Sequence, residues 1–299
     1  MPLDSVDDLF DAAFLGRLEA LALAARQIVK GRQRAERRSA RHGSSIEFAE
    51  YRQYVSGDDF RLIDWSAFAR WRQLVLKLFI EEEDLHVHLL VDATASMNWG
   101  EPCKYDHVRR MAAGLAFLGL ANMDRVSIGA LGPKPGILPP ARGHHRLFTI
   151  LKYLAGTPVS SGACSLARAA DLWQSSQPRR GLVIFLSDLW GADPADALAA
   201  IDRLRYAKHE VAVIQVVDPM ELRAGDPGEY RLESCESGDQ RTVVVDQRMA
   251  REYEKKVAEY GERVRQHCRR NQVALLETRT DQDVEVLLMK ALVQGGFVR

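Results

Sequence analysis

The stretch His86-Val87-His88-Leu89-Leu90-Val91-Asp92-Ala93-Thr94-Ala95-Ser96-Met97 decides how the rest of the chain is read. It is apolar up to Val91 and then turns polar at once, with an aspartate followed at alternate positions by two hydroxyl residues. A short apolar run that stops at polar turn residues is the pattern of a strand buried on both faces of a parallel sheet. In such sheets ligands bind beyond the carboxyl ends of the strands, near the point where the strand order reverses. Asp92, Thr94 and Ser96 therefore stand where a binding loop is expected, and their spacing can turn three oxygens toward one point. Hard cations such as Mg²⁺ accept such oxygens while keeping waters, which leaves a position for another ligand. The same three residue types also make ordinary strand-end turns that cap the next helix.

Outward from this stretch, short apolar runs alternate with amphipathic segments. Strands are predicted over 85–91, 125–131, 181–187, 210–217 and 273–278, and helices over 105–121, 146–154, 166–173, 195–204, 247–270 and 283–293. The fold class is therefore α/β, a Rossmann-like, mostly parallel sheet covered by helices on both faces. One segment departs from the alternation. Between about 225 and 246, the runs Tyr230 to Cys235 and Arg241 to Val245 flank a Gly238-Asp239 turn, which predicts a β-hairpin insert at the sheet edge. Two further loops carry small polar groups: Ser187-Asp188 at the end of the strand 181–187, and Ser160-Ser161-Gly162-Ala163-Cys164-Ser165 before a helix.

Before the sheet, apolar residues at three- and four-residue steps (Phe10, Phe14, Leu18, Leu21) predict an amphipathic helix that docks on the body or on a partner. A basic arm, 30–43, follows. Residues 46–84 interleave Tyr51, Tyr54, Phe60, Trp65, Phe68 and Trp71 with acids and arginines, and read as an extension packing on the main domain. The expected organisation is a helix and arm over 1–43, the extension over 44–84, and the α/β domain over 85–299.

Lys plus Arg and Asp plus Glu balance at 41 each, so no global field for nucleic acid or membrane is indicated. Phosphate contact is confined to the basic arm, where a solvated linker is the preferred reading. The four cysteines are far apart and form no Cys-x-x-Cys pair, which suits a reducing, cytoplasmic compartment. The acidic start does not read as a secretory signal, and no apolar run reaches membrane-helix length.

An enzyme needs a nucleophile or an acid–base pair. Thr94 stands where a phosphotransferase of the haloacid dehalogenase type would carry a second aspartate. No phosphate loop, nucleophile elbow or dinucleotide fingerprint is present. The expectation is a non-enzymatic binding module. Two alternatives stand beside it: a metal-dependent phosphatase or nuclease using the same acidic loop, and nucleic-acid binding through the arm. Trp99 and Trp190 directly follow two strand-end loops and are candidate partner anchors. Asp58, Asp59, Arg61 and Asp64 read either as a second interaction site or as an Asp–Arg network holding the aromatic segment.

Asp92-x-Thr94-x-Ser96 resembles the first loop of the metal-ion-dependent adhesion site of von Willebrand factor type A domains, and Asp188 falls where their last aspartate would. More specifically, the chain resembles the bacterial domain-of-unknown-function 58 family. The likeness is carried by Tyr51-Arg52-x-Tyr54, Gly57-Asp58-Asp59-x-Arg61-x-Ile63-Asp64-Trp65, Ala69-Arg70, Lys77, Asp92-x-Thr94-x-Ser96-Met97, Met111 to Leu115 and Asp124-Arg125-Val126. The resemblance implies Mg²⁺ or Mn²⁺ with Thr94 and Ser96 as direct ligands and Asp92 and Asp188 acting through water. At the place of the family's remaining threonine ligand this chain has Cys164, a poor partner for a hard cation. Ser165, Ser161 or Ser160 supplies the hydroxyl only if the register slips. The resemblance further implies an adaptor or co-chaperone role with a MoxR-type AAA+ ATPase.

Overall fold

The computed structural model describes residues 5–21, 47–80, 85–133, 135–160, 162, 164–176, 179–191, 193–235 and 238–294. The basic arm lies outside them. The described residues divide into two units, 47–80 being one, and residues 5–21 group with the α/β body from 85 onward in the other.

Those first residues form α1 (Val6–Leu9), capped by the Ser5 side chain, and a helical segment α2 over 12–21. Leu9, Phe10, Phe14, Leu18 and Leu21 are all buried in the body's core. At roughly 1.5–3 kcal/mol for each large side chain buried, this helix is a component of the domain. The smaller unit pairs β1 (Glu47–Gln53) antiparallel with β2 (Val75–Ile80), with α3 (Trp65–Trp71) between them. Its strands were not legible as such, because aromatic and charged residues are mixed on both faces.

The body follows the predicted alternation closely. In order come β3 (His86–Asp92), α4 (Lys104–Ala121), β4 (Arg125–Leu131), β5 (Gly136–Ala141), α5 (Leu147–Gly156), α6 (Leu166–Ser176) and β6 (Leu182–Ser187). Then follow α7 (Pro194–Tyr206), β7 (Glu210–Val217), β8 (Gly228–Glu233), β9 (Gln240–Val245), α8 (Gln247–Arg270), β10 (Ala274–Arg279) and α9 (Val284–Gln294). Six strands form one sheet in the order β10-β7-β6-β3-β4-β5, parallel except for β5. The sequence pattern missed β5 because Pro139 and Pro140 argue against a strand. The fold places them on an edge, where a missing N–H costs little.

Alternate residues of the central strand feed two cores. Val87, Leu89 and Val91 face α4, α5, α9 and the N-terminal helix, while Leu90 faces α6, α7 and α8. From β3 the chain builds outward through β4 and β5, then crosses to β6, β7 and β10 on the other side. The order therefore reverses between β3 and β6, and their carboxyl ends frame the crevice that such sheets offer to ligands. The hairpin β8–β9 exists as predicted but forms a two-stranded sheet of its own instead of extending the edge of the main one.

Candidate functional site

Asp92, the last residue of β3, is completely buried. Its Oδ1 accepts from the Thr94 N–H at 2.9 Å and from Thr94 Oγ1 at 2.6 Å, and its Oδ2 accepts from Ser187 Oγ at 2.6 Å. Thr94 Oγ1 lies 3.0 Å from Ser96 Oγ. Because the threonine proton goes to the carboxylate, Ser96 is the donor in that pair. Ser187 Oγ in turn accepts from the Leu189 N–H at 2.9 Å. The loop is thus a relay of hydrogen bonds converging on one carboxylate.

Asp188, just beyond β6, is equally buried. Its Oδ1 accepts from the Trp190 N–H at 2.9 Å and its Oδ2 from Lys104 Nζ at 2.7 Å. The next residue, Leu189, has φ +58°, a left-handed backbone that non-glycine residues seldom adopt. Leu189 is held there by its bond to Ser187 and by Tyr260, whose hydroxyl donates to the Leu189 carbonyl at 2.5 Å. Strain of this kind persists where the surroundings over-determine the backbone, and it gathers at functional sites.

Lys104 is the residue that sequence reasoning missed. As the first residue of α4 it would ordinarily be solvated, yet its side chain has no exposure, and Nζ also donates to Glu221 Oε1 at 2.5 Å. Glu221 comes from a third strand end. Asp218 follows β7 and caps the short helix Pro219–Leu222, accepting from the Met220 N–H, while Glu221 Oε2 accepts from the Asp218 N–H at 3.1 Å. That capping box was readable as Asp218-Pro219-Met220-Glu221. Its convergence on Lys104 was not, since 117 residues separate the partners.

Burial pushes the Asp92 carboxyl upward, against the hydrogen bonds from Ser187 and Thr94 and the charge of Lys104. Burial likewise pushes Asp188 up to about 6, with Lys104 opposing. Glu221 rises for the same first reason, again opposed by Lys104. For Lys104 itself burial disfavours the ammonium, but Asp188 and Glu221 outweigh it and hold the group charged. At neutral pH one buried ammonium faces three carboxyl groups.

The other candidates fall in different places. Ser165 is committed elsewhere: its Oγ donates to Asp196 Oδ1 at 2.6 Å and accepts from the Arg168 N–H, capping α6. From the same loop, Ser160 approaches the Asp92 loop through its backbone, its N–H donating to the Ala93 carbonyl at 2.7 Å. Ser161 lies outside the described residues. Trp99 is 55% exposed, whereas Trp190 packs on Tyr260 with ring centroids 5.0 Å apart. Within the smaller unit, Asp58 accepts from Arg52 Nη2 and the Val55 N–H, Asp59 from the Arg61 N–H, and Asp64 from Ser66, Ala67 and the Tyr51 hydroxyl. These carboxylates organise their own turns, and Arg61 is exposed beside them.

Do these residues suit the divalent ion that the resemblance implies? Thr94 and Ser96 could present two neighbouring oxygens. Against this, Asp188 Oδ2 is taken by an ammonium, both Asp92 oxygens already accept hydrogen bonds, and Cys164 Sγ is directed to the Ser165 carbonyl. Among the described residues no group of three or more His, Cys, Asp or Glu side chains is placed to hold a metal. The donor set does not fit a divalent ion.

The model of the family described as "Protein of unknown function DUF58" matches residues 50–263. The chain belongs to the DUF58 family. Its relatives include the uncharacterized protein Rv1480 of Mycobacterium tuberculosis, 29% identical over 92% of this chain and 88% of that protein, and YeaD of Bacillus subtilis, 28% identical over 38% of this chain and 27% of that protein. Among solved structures, BatB of Bacteroides thetaiotaomicron aligns over 71% of this chain and all of that one at 14% identity and a TM-score of 0.42. Manganese-loaded TRAP of Plasmodium vivax aligns over 44% and 57% at 21% identity and a TM-score of 0.33. The fold of this DUF58 member is α/β, a central six-stranded, mostly parallel sheet covered by helices on both faces. Among the described residues no helix is long and apolar enough to cross a membrane.

Proposed function

We propose that this DUF58 protein is a non-enzymatic interaction module that engages a protein partner with the carboxyl-end face of its sheet, around Asp92-x-Thr94-x-Ser96. The observation that carries the reading is the company of Trp99. This exposed indole directly follows the loop and lines a cavity of about 950 Å³ together with Met220, Leu222, Tyr230, Leu232 and Met249. An accessible aromatic beside methionines and aliphatics is the usual make-up of a protein-binding hot spot. Catalysis gains no comparable support. The Ser187 and Thr94 hydroxyls that meet Asp92 are buried and committed to hydrogen bonds, and the equally short but exposed Ser165–Asp196 pair is engaged in capping α6.

A MoxR-type AAA+ ATPase is the partner that the DUF58 resemblance suggests. The test is a pull-down or interferometry measurement with the cognate ATPase, using Trp99→Ala and Ser96→Ala. Both side chains reach the surface, so the thermal midpoint should stay within about 2 °C of wild type. Trp99→Ala is expected to weaken binding by about 2 kcal/mol, or roughly thirtyfold. Undiminished binding by both variants would remove the reading.

A further inference from the structure

We propose that Lys104 is the resident cation of the strand-end site, an internal ammonium that takes the electrostatic place of a divalent ion and keeps the site closed to metal. The premise is geometric. Nζ touches Asp188 Oδ2 at 2.7 Å and Glu221 Oε1 at 2.5 Å, and its side chain is fully enclosed. It is also close enough to Asp92 to act on that carboxylate by charge. Asp92 and Asp188 are wholly buried and Glu221 partly so, and carboxylates converging from three strand ends repel one another unless a positive charge stands among them. A surface-bound metal could supply that charge only after dehydration. A lysine fixed at the start of α4 supplies it whenever the chain is folded.

Three features agree with this assignment. Glu221 has no place in the Asp-x-Thr-x-Ser loop, yet its carboxylate is aimed at Lys104 by the capping box with Asp218, and Asp218 is itself pinned by Thr280 Oγ1 at 3.0 Å. Cys164, a soft thiol that serves a hard cation badly, holds the sequence position at which the family resemblance calls for an oxygen ligand, and its Sγ is directed to the Ser165 carbonyl. Ser165, the remaining hydroxyl of that loop close to the helix, is committed to Asp196. The protein has kept the acidic frame of the site and replaced the ion's charge with a covalently attached one. Partner engagement at this face is then independent of free Mg²⁺ or Mn²⁺.

The test reads the ion directly and does not depend on the identity of any partner. Mn²⁺ is titrated into the full chain and followed by electron paramagnetic resonance of the free ion, for wild type, Lys104→Met and Asp92→Asn. Wild type is expected to show no saturable Mn²⁺ site. Lys104→Met leaves the acids uncompensated while filling the space, and should gain a single site. Removing one positive charge a few ångströms from the ion is expected to tighten binding by at least ~100-fold. Should Lys104→Met not fold alone, the expected result is recovery of its thermal transition on adding Mn²⁺. Stoichiometric Mn²⁺ binding by wild type that vanishes in Asp92→Asn would overturn the proposal, as would a folded Lys104→Met that binds no ion. An ATPase interaction lost with Trp99→Ala but insensitive to chelator in wild type would support both readings. Chelator-sensitive association would sink this one and leave the interaction module standing.

Discussion

Replacing Asp92 with alanine should unfold the site before it tests binding, and the size of the effect follows from the contacts. The substitution removes an acceptor of three hydrogen bonds at 2.6 to 2.9 Å, two from Thr94 and one from Ser187. It leaves two buried hydroxyls without their acceptor, at about 1–3 kcal/mol each, and withdraws a negative charge from the neighbourhood of a buried ammonium. Set against this is relief from burying the carboxylate itself, the reason its pKa is raised. The balance is a loss of about 3–5 kcal/mol, the range found when one member of a buried charged network is deleted. For a body of this size that lowers the thermal midpoint by roughly 6–20 °C. Asparagine keeps the shape and the Oδ1 acceptor, so Asp92→Asn should cost only about 1–2 kcal/mol. Calorimetric scans of the two variants and wild type at neutral pH measure both numbers. A midpoint for Asp92→Ala within about 1 °C of wild type would refute the placement of Asp92 at the centre of the network. The practical consequence is that lost partner binding in Asp92→Ala would report on folding, and the surface variants at Trp99 and Ser96 are the informative ones.

Other expectations concern the support of the site. His88 is buried against His86, His209 and Trp173, and burial, reinforced by the neighbouring imidazoles, lowers its pKa from 6.5 to about 4. Between those values the unfolded chain holds the extra proton, so its contribution is complete above pH 6.5 and falls by about 1.4 kcal/mol per pH unit as the solution is acidified toward pH 4. Urea titrations of wild type and His88→Asn should differ in pH slope by that amount over this window, and equal slopes would contradict it. Tyr260→Phe removes the hydroxyl that restrains the left-handed Leu189, and chemical denaturation should show a loss of about 1–2 kcal/mol. Gly129→Ala would drive a methyl group into Leu90 and Trp173 within the second core and is expected to destabilise by about 1–3 kcal/mol in the same assay; an unchanged midpoint would argue against that packing. Thiol labelling of the native protein should modify the exposed Cys235 quickly and leave Cys103 and Cys268 unreacted until denaturant is added, since both are buried and burial raises Cys268 to about 11.

Much of this protein was written in local pattern. The run from His86 to Val91 named a strand buried on both faces, and all seven positions from His86 to Asp92 are buried, which leaves no alternation for solvent to impose. The same logic found β4, β6, β7 and β10, and helical periodicity found the segments that cover them. Asp92 and Asp188 could be placed on one rim from sequence, since both directly end apolar strands and adjacent carboxyl ends of a doubly wound sheet must face the same way. Where local signals were contradictory the reading stopped. Prolines hid β5 until an edge position excused them, and mixed aromatic and charged faces hid β1 and β2. What only the tertiary structure decided is the chemistry between those strand ends. Lys104 has the sequence surroundings of an exposed helix start, and Glu221 those of a simple cap, because desolvation and ion pairing across 84 and 117 residues leave no trace in either neighbourhood. The sequence by itself determined the frame and the acids. Packing alone brought a buried cation among them.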